Sequence, residues 1–157
     1  MFVPQPINAQ SWLKDRKDPA KAIAWWPTAS YVSCDGSLAV NTGGWKRPDG
    51  AAGYFSTVWQ RQPDGGWKWI VDGGDDLKVA RSRSANPKVV TASCIKIPRA
   101  IPKKSKTEPR YGGGESGDQS LTWEWGYSSA GNIRVFSAYL WDGRRTVDAI
   151  DDVIFLK

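Results

Sequence analysis

The chain has 157 residues, with 22 Lys and Arg against 16 Asp and Glu, and no His. That length suits one domain with a sizeable core, and the lack of His removes Ser-His-Asp and Cys-His nucleophile systems and His-based metal centres. Sixteen Gly, ten Pro and ten Trp favour short strands joined by tight turns over a helical bundle, and the net charge of +6 is concentrated in Lys78 to Arg110, where ten Lys and Arg face Glu108 alone.

Phe2 to Ala9 reads as a short strand that Pro4 and Pro6 bend or hold at an edge. Ser11 is the expected N-cap of a helix through Trp12-Leu13-Lys14-Asp15-Arg16, and Asp18-Pro19 either stops that turn or begins another short one through Ala22. Ile23 to Ser33 is a strand, Asp35-Gly36 turns the chain, and Leu38 to Trp45 returns it. The same grammar repeats through Pro48-Asp49-Gly50, Tyr54 to Gln62, Pro63-Asp64-Gly65 and Trp67 to Asp72, giving an antiparallel meander. With Pro63 to Gly65 as the loop, Trp59 pairs with Trp69 and Arg61 with Trp67. Strict alternation then puts Phe55, Thr57, Trp59, Arg61, Trp67, Trp69 and Val71 on one face, and Val58, Gln60, Lys68, Ile70 and Asp72 on the other.

Beyond Gly73-Gly74 the pattern breaks. Asp75 to Ala80 reads as one helical turn, Lys88 to Ile97 as a strand, and Pro98 to Gly117, with three prolines and Gly112-Gly113-Gly114, as a flexible loop. Leu121 to Tyr127, Ile133 to Trp141 and Thr146 to Leu156 are strands, with turns at Ser129-Ala130-Gly131-Asn132 and Asp142-Gly143. They either extend the first sheet or form a small annex. The expected organisation is 1–77, a basic connector at 78–117, and C-terminal strands at 118–157. The connector reads as a solvated segment able to touch an acidic partner, and nucleic acid is disfavoured because the rest of the chain is net acidic. No apolar run is long enough to cross a bilayer.

Cys34 and Cys94 are expected as two small buried thiols, with a disulfide, which needs an oxidising compartment, as the alternative. No metal site or cofactor is expected: two separated cysteines make no zinc site, and Gly112-Gly113-Gly114 lacks the Lys-Ser/Thr of a phosphate loop. Asp75-Asp76 and Asp151-Asp152 read as solvated pairs. Asp72 ends a strand beside Trp69, Ile70 and Val71. It either caps a turn at Gly73-Gly74 or, aimed into an apolar pocket, acts as a general base or hydrogen-bonds a ligand. Most tryptophans belong to the core, and Trp59 and Trp69 are the best candidates for stacking on a ligand.

Asp35-Gly36-Ser37-Leu38-Ala39-Val40-Asn41-Thr42-Gly43-Gly44-Trp45, followed by Gly53-Tyr54-Phe55, Val58-Trp59-Gln60-Arg61-Gln62-Pro63-Asp64-Gly65-Gly66-Trp67-Lys68 and Val71-Asp72, resembles the later strands of SnoaL-like domains of the nuclear-transport-factor-2-like superfamily. The resemblance covers about residues 2–74. It implies an α+β, β-rich fold in which a curved antiparallel sheet forms a cone around a pocket, here with few helices and a C-terminal β-hairpin extension. Such domains open with two or three helices that plug the cone. The resemblance therefore implies helices ahead of Met1, whose leader would also carry an export signal to the periplasm; without one the protein is cytoplasmic.

Members of that family include enzymes and binding domains, so the fold alone assigns no activity, and no catalytic motif carries over. The implied pocket residues are Tyr54, Trp59, Arg61, Trp69 and Asp72, around a small apolar or aromatic ligand, with a homodimer through the exposed sheet face. One alternative is a lyase or isomerase with Asp72 as general base, which requires a proton donor opposite it and, unlike a binder, does not tolerate Asp72→Asn. Another is an interaction module that sets the basic segment 96–110 on an acidic partner, with binding that falls steeply with salt.

Overall fold

The computed structural model describes residues 7–97, 111–128, 130 and 132–155. It is β-rich, with two sheets that do not close on each other. Strands β1 (Ala24–Val32), β2 (Leu38–Lys46), β3 (Ala52–Arg61) and β4 (Trp67–Leu77) form the expected antiparallel meander, and β5 (Lys88–Thr91) adds to the far side of β1 in parallel. Strands β6 (Tyr111–Glu115), β7 (Leu121–Ser128), β8 (Ile133–Trp141) and β9 (Thr146–Phe155) form a second meander, a sheet of their own that adds no strand to the first. The one helix among the described residues, α1 (Ala9–Leu13), starts earlier than Ser11. Asn8 is its cap, because Asn8 Oδ1 accepts the Ser11 N–H at 3.0 Å. Ile7 and Asn8 lead into α1 without forming a strand, and Ala9 is its first residue; the rest of the strand expected at Phe2 to Ala9 lies outside the described residues.

The Pro63 to Gly65 hairpin forms as the turn chemistry requires, with Gly65 at φ +83°. Trp59 pairs with Trp69 and Arg61 with Trp67. Strict alternation then fails. A β-bulge leaves Ile70 unpaired, so Val58 opposes Val71 and Thr57 opposes Asp72. Val71 thereby turns inward and Asp72 joins Thr57, Trp59 and Trp69 on the outer face, the reverse of what alternation predicts. Gly73 and Gly74 do not turn the chain: they pair with Ser56 and Phe55, and β4 continues to Leu77 where a helical turn was expected.

Gly112-Gly113-Gly114 is also strand, not flexible loop. Gly112 pairs with Trp125 and Gly114 with Trp123, and a Cβ at either glycine would come within 2.6 Å and 3.0 Å of those indoles. The large cross-strand rings require an absent side chain. The rest of that expected loop, 98–110, lies outside the described residues, as do Ser129 and Gly131 of the predicted turn.

One core joins the sheets. Leu38, Val40 and Val58 from the first meet Leu121, Ala138, Leu140 and Ile150 from the second, with Ala92 between them; each such aliphatic side chain withdrawn from water contributes about 1.5–3 kcal/mol for the larger residues.

The two meanders are related by a local pseudo-two-fold. Ser33-Cys34-Asp35-Gly36-Ser37-Leu38 ends β1 and begins β2, and Ser116-Gly117-Asp118-Gln119-Ser120-Leu121 does the same for β6 and β7. In each loop the aspartate Oδ1 accepts from both flanking serine hydroxyls and from the second serine's N–H, at 2.6–2.9 Å for Asp35 and 2.7–3.0 Å for Asp118. The loops then clasp each other: Asp35 N–H donates to Asp118 Oδ2 at 2.9 Å and Asp118 N–H to Asp35 Oδ2 at 3.0 Å. Cys34 N–H donates to Ser120 Oγ and Gly117 N–H to Ser37 Oγ in the same reciprocal way. The β-bulge recurs at the equivalent place, between Ala138 and Tyr139. Beside this clasp Cys34 and Cys94 form a disulfide with Cα atoms 5.3 Å apart, in place of the two free thiols expected. Burial makes thiols and half-cystines look alike in sequence, and the approach of β5 to β1 brings this pair together.

Candidate functional site

The face of the first sheet turned away from the second is aromatic. Trp45 is fully buried on it, lying across Gly53, where a Cβ would sit 2.4 Å from the indole. Trp25 meets Phe55 edge-on, with centroids 5.8 Å apart and planes at 89°. These rings, with Trp59 and Trp69, wall a cleft of about 360 Å³ that Leu13 and Ile23 of the N-terminal segment border. Asp72 is the one titratable side chain among the described residues lining it, and its Oδ1 accepts a hydrogen bond from the Thr57 hydroxyl. The Trp59 indole Nε1 is buried without a hydrogen-bond partner among the described residues, and Trp69 remains 42 % exposed at the rim. The bulge at Ile70 puts Asp72 here: without the extra residue its carboxylate would face the second sheet.

Behind β4, between the sheets and away from the loop clasp, lies a larger cavity of about 560 Å³. Tyr54, Ser56 and Asp152 contribute polar groups to it, and Phe136, Ile154 and Trp125 apolar walls. Asp152 is 5 % exposed and doubly satisfied: Arg81 Nη2 donates to Oδ1 at 2.6 Å and Ser56 Oγ to Oδ2 at 2.6 Å. Arg81 also hydrogen-bonds Thr42 Oγ1 and lies 4.1 Å from the centre of the Tyr54 ring. Arg134 donates to the Gly74 carbonyl at 2.5 Å. Burial, then the Asp152 carboxylate, raises the Tyr54 pKa well above its ordinary value, so the phenol keeps its proton. Burial lowers the pKa of Arg134 from its ordinary value, with Tyr54 and Asp75 opposing the shift.

The structure therefore divides the sequence-derived residues. Trp59, Trp69 and Asp72 meet in the outer cleft, Tyr54 faces inward from the other side of β3, and Trp69 and Asp72 border both spaces across edge strand β4. Arg61 lines neither: it sits beside the loop clasp, its N–H donating to the Ser37 carbonyl at 2.9 Å. Sequence reasoning missed Trp25, Trp45 and Phe55 as cleft walls, although the expected sharing of one face by Phe55 and Trp59 is a readable signal for Phe55. It also missed Arg81, Arg134 and Asp152, which come from distant segments and share no spacing. Arg81 belongs to the basic stretch expected to be solvated, yet it is held by a buried carboxylate. Asp152 of the supposedly solvated Asp151-Asp152 pair is buried, because alternate residues of β9 face opposite ways.

No group of three or more His, Cys, Asp or Glu side chains among the described residues is placed to hold a metal ion, and no helix among them is long and apolar enough to cross a membrane. Comparison with family models, curated proteins and solved structures returns no match to this chain.

Proposed function

We propose that this protein binds a small planar apolar molecule in the outer cleft, stacked between Trp59 and Trp69, with an N–H or O–H of the ligand donating to Asp72. The carrying observation is the cleft itself: aromatic walls from all four strands of the meander converge on one carboxylate. Its volume of about 360 Å³ falls within the range of small-molecule sites. A carboxylate offers about four acceptor positions, and the hydrogen bond from Thr57 takes one of them and orients Asp72. Binding is favoured over catalysis because, among the described residues lining the cleft, no titratable side chain besides Asp72 stands ready as the proton donor that a base mechanism needs. In this reading β1 to β4 are the later strands of a SnoaL-like sheet, and the aromatic surface is the one that family covers with helices. The Cys34–Cys94 disulfide fits residence in an oxidising compartment such as the periplasm.

Calorimetric titration with 2-naphthol tests this. Trp69→Ala and Asp72→Leu should each weaken binding about tenfold, while Asp72→Asn, which keeps an acceptor oxygen, should cost less than about threefold. Affinity untouched by Trp69→Ala and Asp72→Leu, or no binding at all, would overturn the proposal.

A further inference from the structure

The cavity between the sheets is polar in a one-sided way. Its buried carboxylate, Asp152, is held on both oxygens, by Arg81 on one and Ser56 on the other. The Tyr54 residue is 94 % buried (6 % exposed), borders the cavity, and its hydroxyl has no hydrogen-bond partner among the described residues. That leaves it a donor available to whatever occupies the cavity. The Arg134 guanidinium stands on the same wall and adds positive potential.

Gly73 supplies a second, independent observation. It lies within β4 opposite Ser56, on the inward face. Gly53, Gly112 and Gly114 each lack a side chain because an indole occupies that space, whereas a Cβ at Gly73 meets no atom within 4 Å. Its backbone is ordinary strand, outside the left-handed region, so no turn demands glycine there. A strand interior weakened by glycine without a packing or conformational reason leaves volume, and that volume belongs to the cavity.

We infer that this inter-sheet cavity is a second binding site, for a small apolar molecule presenting an sp² acceptor oxygen, a carbonyl or carboxylate, to the Tyr54 hydroxyl beside Arg134. Phe136, Ile154 and Trp125 take the apolar body. The raised Tyr54 pKa keeps that hydroxyl a donor across the neutral and mildly alkaline range. Asp72 borders both spaces, but the Tyr54 hydroxyl lines the inter-sheet cavity alone, so acceptor probes that respond to Tyr54 report on that site.

The experiment is titration of the full chain with 2-naphthoate and with its neutral counterpart 2-acetylnaphthalene, followed by saturation-transfer NMR. At least one should bind, with Tyr54→Phe weakening it about tenfold and Gly73→Leu, which fills the open space, abolishing it. Gly73→Ala should change affinity less than threefold, and Trp59→Ala, in the outer cleft, should leave it unchanged. Binding of both acceptor probes would assign a neutral carbonyl as sufficient, and binding of the carboxylate alone would assign the Arg134 charge a direct part. Thermal melts establish that Gly73→Leu folds, and unaltered 2-naphthol binding by that variant would separate loss of this site from loss of the outer cleft. Failure of both acceptor probes to bind, or binding that survives Gly73→Leu in a folded protein, overturns the inference.

Discussion

Asp118→Ala should destabilise the protein by about 2–3 kcal/mol, with Asp35→Ala close to it. Asp118 accepts hydrogen bonds from Ser116 Oγ at 2.7 Å, Ser120 N at 3.0 Å, Ser120 Oγ at 2.8 Å and Asp35 N at 2.9 Å. A bond to a charged acceptor contributes more than a neutral one, but these loops are partly in water, so about 0.5–0.8 kcal/mol apiece is the appropriate scale. The double variant should cost less than the sum of the two, because either change opens the same clasp.

Acid gives a second handle on those aspartates. Burial pushes both carboxyls up, yet hydrogen bonds outweigh it and hold each below the ordinary value of 3.8: from Ser33, Ser37 and Asp118 N–H at Asp35, and from Ser116 and Ser120 at Asp118. Their stabilisation is therefore fully present above the unfolded carboxylate pKa and is lost as pH falls through the lower folded values. Urea unfolding followed by tryptophan fluorescence, at pH 7 and at successive steps below pH 4, measures both effects. Asp35→Asn/Asp118→Asn should flatten the acid limb. Single variants costing under about 0.5 kcal/mol, the scale of a featureless surface position, would show that the clasp does not hold the sheets together.

Reduction of Cys34–Cys94 should lower stability by about 4 kcal/mol, since the bridge spans 60 residues of sequence and closes a long loop in the unfolded chain; unfolding with and without dithiothreitol measures this, and a loss below about 1 kcal/mol would contradict it. Gly112→Ala should cost about 1–3 kcal/mol, because its Cβ would meet the Trp125 indole at 2.6 Å. Gly73→Ala, facing open space, should be neutral or stabilising by up to about 1 kcal/mol, and the difference between the two in thermal melts tests whether glycine in these strands answers to cross-strand rings.

The first meander was readable because turn residues and alternating aromatics act locally. Pro63-Asp64-Gly65 sets the loop, and the loop sets the pairing of Trp59 with Trp69. The bulge was not readable, since nothing in Trp-Ile-Val-Asp marks Ile70 as the extra residue; what fixes it is Val71 reaching the core beside Val58. Gly112-Gly113-Gly114 misled for a related reason: composition says loop, while the rings that need the glycines lie 9 and 13 residues downstream. The Arg81–Asp152 pair joins residues 71 apart, beyond any local pattern. The loop clasp was legible in principle, because Ser-x-Asp-x-Ser-Leu occurs at 33–38 and again at 116–121.

The pseudo-two-fold separates scaffold from site. Placing the bulges in register makes Thr57 equivalent to Ser137 and Asp72 to Asp151, and Ser137 Oγ donates to Asp151 Oδ1 at 3.0 Å as Thr57 does to Asp72. A hydroxyl–carboxylate pair beside the bulge therefore serves both sheets, one with a cleft on that face and one without the tryptophans that wall it, so part of the role of Asp72 is to brace β3 against β4. The rings differ. Trp59 corresponds to Tyr139, which donates to Glu124 at 2.9 Å, and Trp69 to Asp148. The second sheet meets water with polar groups at the positions where the first carries indoles. Solvent contact alone would favour the same polar choice on both, so the tryptophans of β3 and β4 answer to something the second sheet does not meet: Leu13 and Ile23 of the N-terminal segment border the cleft they wall, and under the proposed function a ligand fills the rest of it.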